Sequence, residues 1–199
     1  MEENKMNEAL DLLGKLMELE TGESSQKVTL IVCGGAALVA RNLVQRVTKD
    51  VDVLALLEGE TLISPAPLPD ALLSAAEKVA VGMNLPADWL NNGPSSGAGG
   101  LFQVGLPAGI ETRWEEQKYG DALSVYFVGR LDQICFKLYA AVDQMGSYHG
   151  QDLAKLMPNT EELRFAIDWV KTHDSSDGFL QMLELYLKEN NHEDAVQYV

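Results

Sequence analysis

The chain has 199 residues, 46% of them hydrophobic and 23% charged, with a formal net charge of −15. That length and balance fit one sizeable globular domain, or a smaller domain with a helical annex, and no run of 18 apolar residues marks a membrane span. The acidity weighs against partners gripped through phosphates or anionic headgroups, since such affinity comes largely from Lys and Arg.

The stretch Met1–Asn7 is acidic and polar rather than basic and then apolar, which argues against a secretory signal and for a cytoplasmic protein. Met6, Leu10, Leu13 and Leu16 or Met17 recur at helical spacing and predict an amphipathic helix over residues 4–20. Residues 21–27 form a polar break. Val28–Cys33 (VTLIVC) is a nearly continuous apolar, β-branched run, suited to a strand buried on both faces. Gly34-Gly35 follows at once, then a helical stretch from Ala36 to Gln45. Thr48–Leu56 (TKDVDVLAL) returns to period two and predicts a second strand. The segment SPAPLP, Ser64–Pro69, breaks structure, and a helix is expected over Asp70–Val81. Asn91–Gly100 (NNGPSSGAGG) reads as a flexible loop. Leu101–Leu106 is a weak strand candidate and Leu123–Val128 (LSVYFV) a strong one. From Leu131 the pattern turns helical, over 131–142, 151–157, 161–171 and 178–189, with Asn159 and Glu162 spaced for a capped helix start. The outline is α/β (α+β): an α/β core over residues 1–130 and a C-terminal helical region over 131–199. Cys33 and Cys135 lie outside any CxxC or Cys/His cluster and are read as reduced, buried thiols rather than zinc ligands.

The stretch that carries chemistry runs from Cys33 to Leu54. Glycine lets a ligand approach the backbone closely, and the first turn of a helix offers unpaired N–H donors, so Gly34-Gly35 opening a helix is a candidate phosphate turn. Asp50 and Asp52 stand two apart on the expected strand, on one face and roughly 6–7 Å apart. Asp is depleted in strands, and like charges on one strand face repel. A divalent cation, Mg²⁺ or Mn²⁺, reconciles the pair, because such ions take oxygen ligands. The plainer alternatives are a tight glycine turn and a solvated strand face. Arg46 stands where it would cap the end of the helix. His149, His173 and His192 have no ligand spacing, Ser95-Ser96 lacks the context of a nucleophile elbow, and Trp89, Trp114 and Trp169 read as packing residues.

On these residues the chain resembles the nucleotidyltransferase superfamily of DNA polymerase β type, whose hallmark is Gly-Gly or Gly-Ser, a helix, then Asp-x-Asp on a strand. It is similar in particular to bacterial nucleotidyltransferase-like proteins related in pattern to abortive-infection and toxin–antitoxin transferases. The core of the likeness is Val28–Leu54; LDQICFKLYAAVDQ (Leu131–Gln144) and HGQDLAKLMPNTEEL (His149–Leu163) extend it. The resemblance implies a minimal nucleotidyltransferase fold, a small mixed sheet flanked by helices with a helical tail. It implies transfer of a nucleotidyl group from an NTP to an acceptor hydroxyl. Gly34 and Gly35 would be the triphosphate turn, Asp50 and Asp52 the catalytic metal ligands, and Thr48, Lys49 and Lys137 nucleotide contacts, with Asp152 a weaker match. The sequence departs from the pattern in having Gly35-Ala36 where Ser is frequent, and no acid in Leu123–Val128, where active members hold a third carboxylate. A catalytically degenerate binding or regulatory protein is therefore the competing expectation. The acceptor, a protein or small molecule rather than nucleic acid by charge, and the oligomeric state are not given by the sequence.

Overall fold

The run Val28–Cys33 forms β1, the strand at the centre of a six-stranded mixed sheet ordered β3-β2-β1-β6-β5. The computed structural model describes residues 1–21 and 27–199, so most of the polar break over 21–27 lies outside the described residues. One neighbour of β1 is β2 (Val51–Glu58), antiparallel; the other is β6 (Leu123–Phe127), parallel. A strand flanked on both sides and covered above and below needs apolar side chains at successive positions. Leu30, Ile31 and Val32 are accordingly all fully buried. The outer strands are β3 (Thr61–Ile63) and β5 (Glu115–Tyr119), both antiparallel to their neighbours, while β4 (Leu90–Asn91) pairs in parallel with the start of β2.

This sheet belongs to the first of two units, Met1–Leu106 with Trp114–Val128; the second is Pro107–Arg113 with Gly129–Val199. In the first, α1 (Glu3–Thr21) buries Met6, Ala9, Leu10, Leu13 and Met17 against α3 (Asp70–Met83) and the β5–β6 hairpin. Gly14 sets that approach: a Cβ there would lie 2.0 Å from the Tyr119 carbonyl oxygen. One helical turn on, the Glu18 carboxylate accepts from the Asp121 amide at 2.5 Å in the β5–β6 turn. The α2 helix (Gly34–Ala40) is shorter than the expected 36–45, because Asn42 takes a left-handed φ of 53° and the amides of Leu43 and Val44 turn back to the Leu38 carbonyl. Leu101–Val104 is a four-residue helix, α4, rather than a strand. The polar EEQKY of β5 has no apolar alternation to announce it, as suits an edge strand.

The second unit holds α5 (Arg130–Asp143), α6 (Tyr148–Leu156), α7 (Thr160–His173) and α8 (Asp177–Glu189). The expected capping box starts α7: Asn159 accepts from the Glu162 amide at 2.9 Å and Glu162 accepts from the Asn159 amide at 3.0 Å. Of the leucines Leu180, Leu183 and Leu187, spaced as a packing stripe on α8, Leu183 and Leu187 are fully buried and Leu180 is half-buried. The segment 107–113 is tied to α5 through Asp132, a carboxylate with no exposed surface. Arg113 donates to it from Nε, at 3.1 Å to each oxygen, and from Nη2 at 2.5 Å. Burial lifts the Asp132 carboxyl above its usual range while the Arg113 bonds pull it back. No helix among the described residues is long and apolar enough to cross a membrane.

The same substitution should act with opposite sign at two helical glycines. Gly14→Ala is expected to destabilise by about 1–3 kcal/mol through overpacking, whereas Gly82→Ala, with nothing within 4 Å of its Cβ, should stabilise by up to about 1 kcal/mol; urea denaturation midpoints check both. Arg113→Met leaves Asp132 buried without its cation and should cost about 3–5 kcal/mol, measured the same way.

Candidate functional site

The site is built where β1 ends. Cys33 pairs with Asp52 of β2, and Asp52 pairs in turn with Asn91 of β4. Paired residues project on a common face, so Cys33, Asp52 and Asn91 form a row across three strands. Directly after Cys33 the chain turns at Gly34, with φ +67°, a left-handed value that L side chains rarely adopt. A Cβ at Gly34 would lie 2.5 Å from Asp52 Oδ2. A Cβ at Gly35 would lie 2.5 Å from Arg46 Nη2 and 2.6 Å from Thr48 Oγ1. The space that a side chain would need at the two glycines is thus taken by a carboxylate, a guanidinium and a hydroxyl.

Each of these groups is placed by local structure. Thr48 is buried, its hydroxyl donates to the Asp50 carbonyl at 2.9 Å, and its amide bonds the Met1 carbonyl at 2.9 Å. That turn delays the strand, so β2 begins at Val51 rather than Thr48. Asp52 therefore lies in the sheet, whereas Asp50 is half-buried in the segment just before it, and Lys49 is exposed. Arg46 lies over the first turn of α2 and not at its C-terminal end, where Arg41 is the cap residue. The role of helix C-cap considered for Arg46 is thereby excluded.

A bulge fixes the strand next to Asp52. Ile31 pairs with Ala55 and Val32 with Val53, so Leu54 is the extra residue of β2. Its carbonyl accepts from the fully buried Ser95 hydroxyl at 2.6 Å. Ser95 belongs to the stretch expected to be a flexible loop. That stretch is instead a bonded turn, with Asn91 Oδ1 accepting from Gly93 N at 2.7 Å and Asn92 Nδ2 donating to Pro65 O at 2.8 Å. Sequence reasoning missed Ser95 and Asn91, since polar side chains that bond the backbone have the composition of a mobile loop.

Lys137 belongs to the chain's second unit. It is 3% exposed, with Nζ 2.9 Å from Asp152 Oδ2. The two residues that the family pattern singled out on α5 and α6 thus pair with each other. On β6, the buried Phe127 sits beside Val32, and its carbonyl accepts from Arg41 Nη1 at 3.3 Å. The acid across from Phe127 is Glu115 on β5, 3.6 Å from Arg41 Nη2. Three strand spacings separate β5 from β2, about 14 Å, too far for Glu115 and Asp52 to share an ion. Glu111 lies in a 3-10 turn of the second unit and Asp121 in the β5–β6 turn. Among the described residues no group of three or more His, Cys, Asp or Glu side chains is gathered as a metal site.

Ser95→Ala should cost about 1–3 kcal/mol by leaving the Leu54 carbonyl buried without its donor, measured by thermal and urea denaturation. Comparisons with protein-family models, with curated proteins and with solved structures each return no match.

Proposed function

We propose that this protein is a Mg²⁺- or Mn²⁺-dependent nucleotidyltransferase that moves a nucleotidyl group from an NTP to an acceptor hydroxyl. The observation that carries the reading is the position of the Asp52 carboxylate at the end of β1, with Oδ2 2.5 Å from where a Cβ at Gly34 would stand. An acid held against a bare glycine turn can keep a cation where the phosphates of a nucleotide reach the backbone.

In this reading Asp52 and Asp50 hold the ion, which supplies charge neutralisation for the phosphates when bound. Gly34, half-buried, is the glycine offered to the triphosphate, while the buried Gly35 is covered by Arg46 and Thr48. The Arg46 guanidinium, resting on Gly35, is placed to take a non-bridging phosphate oxygen. Thr48 holds the Asp50 backbone through its hydroxyl and so sets where that carboxylate starts from. Lys49, exposed beside Asp50, adds positive charge at the entrance. The residues contribute positioning and charge stabilisation, the main sources of rate in phosphoryl transfer. The net charge of −15 favours a protein or small-molecule acceptor over nucleic acid, and two buried cysteines suit the cytoplasm.

A second reading is favoured by one specific observation: the β6 residue paired with Ile31, on the sheet face that Cys33 and Asp52 share, is Tyr126 and not an acid. On that ground the site binds metal and nucleotide without turnover, as a regulatory or toxin–antitoxin-like component.

Incubating the full chain with α-labelled NTP, Mg²⁺ or Mn²⁺ and a pool of protein and small-molecule acceptors separates the readings. Asp52→Asn is expected to lower label transfer by at least about 10²-fold with an unchanged circular dichroism spectrum. Undiminished transfer in that variant overturns the enzymatic reading. Metal-dependent NTP binding with no labelled product supports the second reading, and no nucleotide binding at millimolar concentration sinks both.

A further inference from the structure

We propose that Ser95 is a positioning residue: by holding the Leu54 carbonyl it sets the register of β2 on β1, and with it the face on which Asp52 is presented. The strand pairing shows what depends on this. At the far end of β2, Leu30 pairs with Leu56 and Ile31 with Ala55. Continued without interruption, that register sets Val32 against Leu54, Cys33 against Val53 and Gly34 against Asp52. The observed pairs are Val32 with Val53 and Cys33 with Asp52. The bulge therefore moves the start of β2 by one residue. Side chains alternate between faces along a strand, so a shift of one residue exchanges the faces of Asp52 and Val53. With the bulge, Asp52 shares the face of Cys33, and the fully buried Val53 takes the other. Without it, valine stands on the face of Cys33 and the carboxylate turns into the side that Val53 now fills.

A bulge leaves its extra residue out of the ladder, and a buried carbonyl without a donor costs more than an ordinary hydrogen bond returns. The other edge of β2 offers no strand at this point. There β4 pairs at Val51 and Asp52 and β3 at Leu56 to Glu58, and among the described residues no strand pairs that edge at 53–55. The turn Gly93–Ser95 packs against β2 instead. Its Ser95 hydroxyl, on a side chain with no exposed surface, donates to the Leu54 carbonyl at 2.6 Å. The turn is tied on both sides of the gap. Asn91, just before it, is the β4 partner of Asp52. Asn92 Nδ2 donates at 2.8 Å to the carbonyl of Pro65, just beyond β3. Gly100 closes over the turn, since a Cβ there would lie 2.5 Å from the Ser95 carbonyl carbon. A hydroxyl fixed in this way selects the register in which residue 54 is the one left over. That Asp52 then serves a metal ion rests on the function proposed above; the register does not.

Nuclear magnetic resonance on the full chain reads the register, from cross-strand contacts between the backbone protons of Cys33 and those of Asp52 or Val53. The unaltered chain is expected to show Cys33 against Asp52. Ser95→Ala should move the balance between the two registers by about 5- to 100-fold and bring up contacts of Cys33 with Val53. Should that variant not fold, Ser95→Cys, a weaker donor of similar size, carries the same expectation. Ser95→Thr keeps the hydroxyl and should keep the original pairs, even where its added methyl group lowers the unfolding midpoint. Gly14→Ala, strained against Tyr119 rather than β2, should keep them too. Original pairing in the variant that lacks the hydroxyl, or its loss in Ser95→Thr or Gly14→Ala, overturns the lock. On the proposed function, Ser95→Ala should also raise the Mn²⁺ concentration for half-maximal label transfer by a comparable factor. A shifted register in Ser95→Ala, with no nucleotide binding by the unaltered chain, supports the lock and sinks the function instead.

Discussion

The absence of a Cβ at residue 34 governs the working end of the sheet. With φ at +67° and a carboxylate oxygen where the side chain would begin, the chain leaves β1 by a path open to glycine and closed to ordinary residues. That path brings Asp52 against main chain rather than against a side chain. Arg46 and Thr48 then fill the space over the next glycine. The sheet supports the arrangement from below, since Asp52 is paired on both sides, by Cys33 and by Asn91. A carboxylate held this way loses little freedom on meeting a ligand, which is the physical content of preorganisation.

What the amino-acid pattern announced, and what it concealed, follow from the kind of force involved. Hydrophobic burial leaves a periodic trace, so β1 emerged as Val28–Cys33 and the helices of the second unit within a few residues of their observed ends. The capping box at Asn159 and Glu162 was legible because its chemistry is local. Polar side chains that bond distant backbone leave no such trace. Ser95 reaches Leu54 across 41 residues, and nothing in NNGPSSGAGG foretells that partner. The start of β2 slipped from Thr48 to Val51 for a related reason: the Thr48 hydroxyl competes for the Asp50 carbonyl, a contest that period-two counting does not see. The pairing of Lys137 with Asp152 was equally hidden, since their spacing gives no sign that they meet.

An acidic chain has to ration its cations, and here the arginines and lysines are placed at chain junctions. Arg113 meets Asp132 at the start of α5, Arg130 meets Glu162 and the end of α6, and Arg41 meets Glu115 and the Phe127 carbonyl. A pair with a buried member, as Asp132 is, returns little net stability once desolvation is counted, but removing one partner is costly. Their effect is selective: a helix docked in the wrong register strands a charge. In a chain of net charge −15, few alternative packings can satisfy those groups.

The chain path through the two units carries an evolutionary consequence. The second unit takes residues 107–113 from between α4 and β5 and resumes only at Gly129. Arg113 on the early piece and Asp132 on the late piece are bonded, and β5 with β6 lies between them in sequence. A genetic crossover at any single point therefore divides one unit or the other, so neither half can be inherited or exchanged as an independent cassette. Insertions and losses are expected to respect both crossing points together, and the two units to diverge as one lineage.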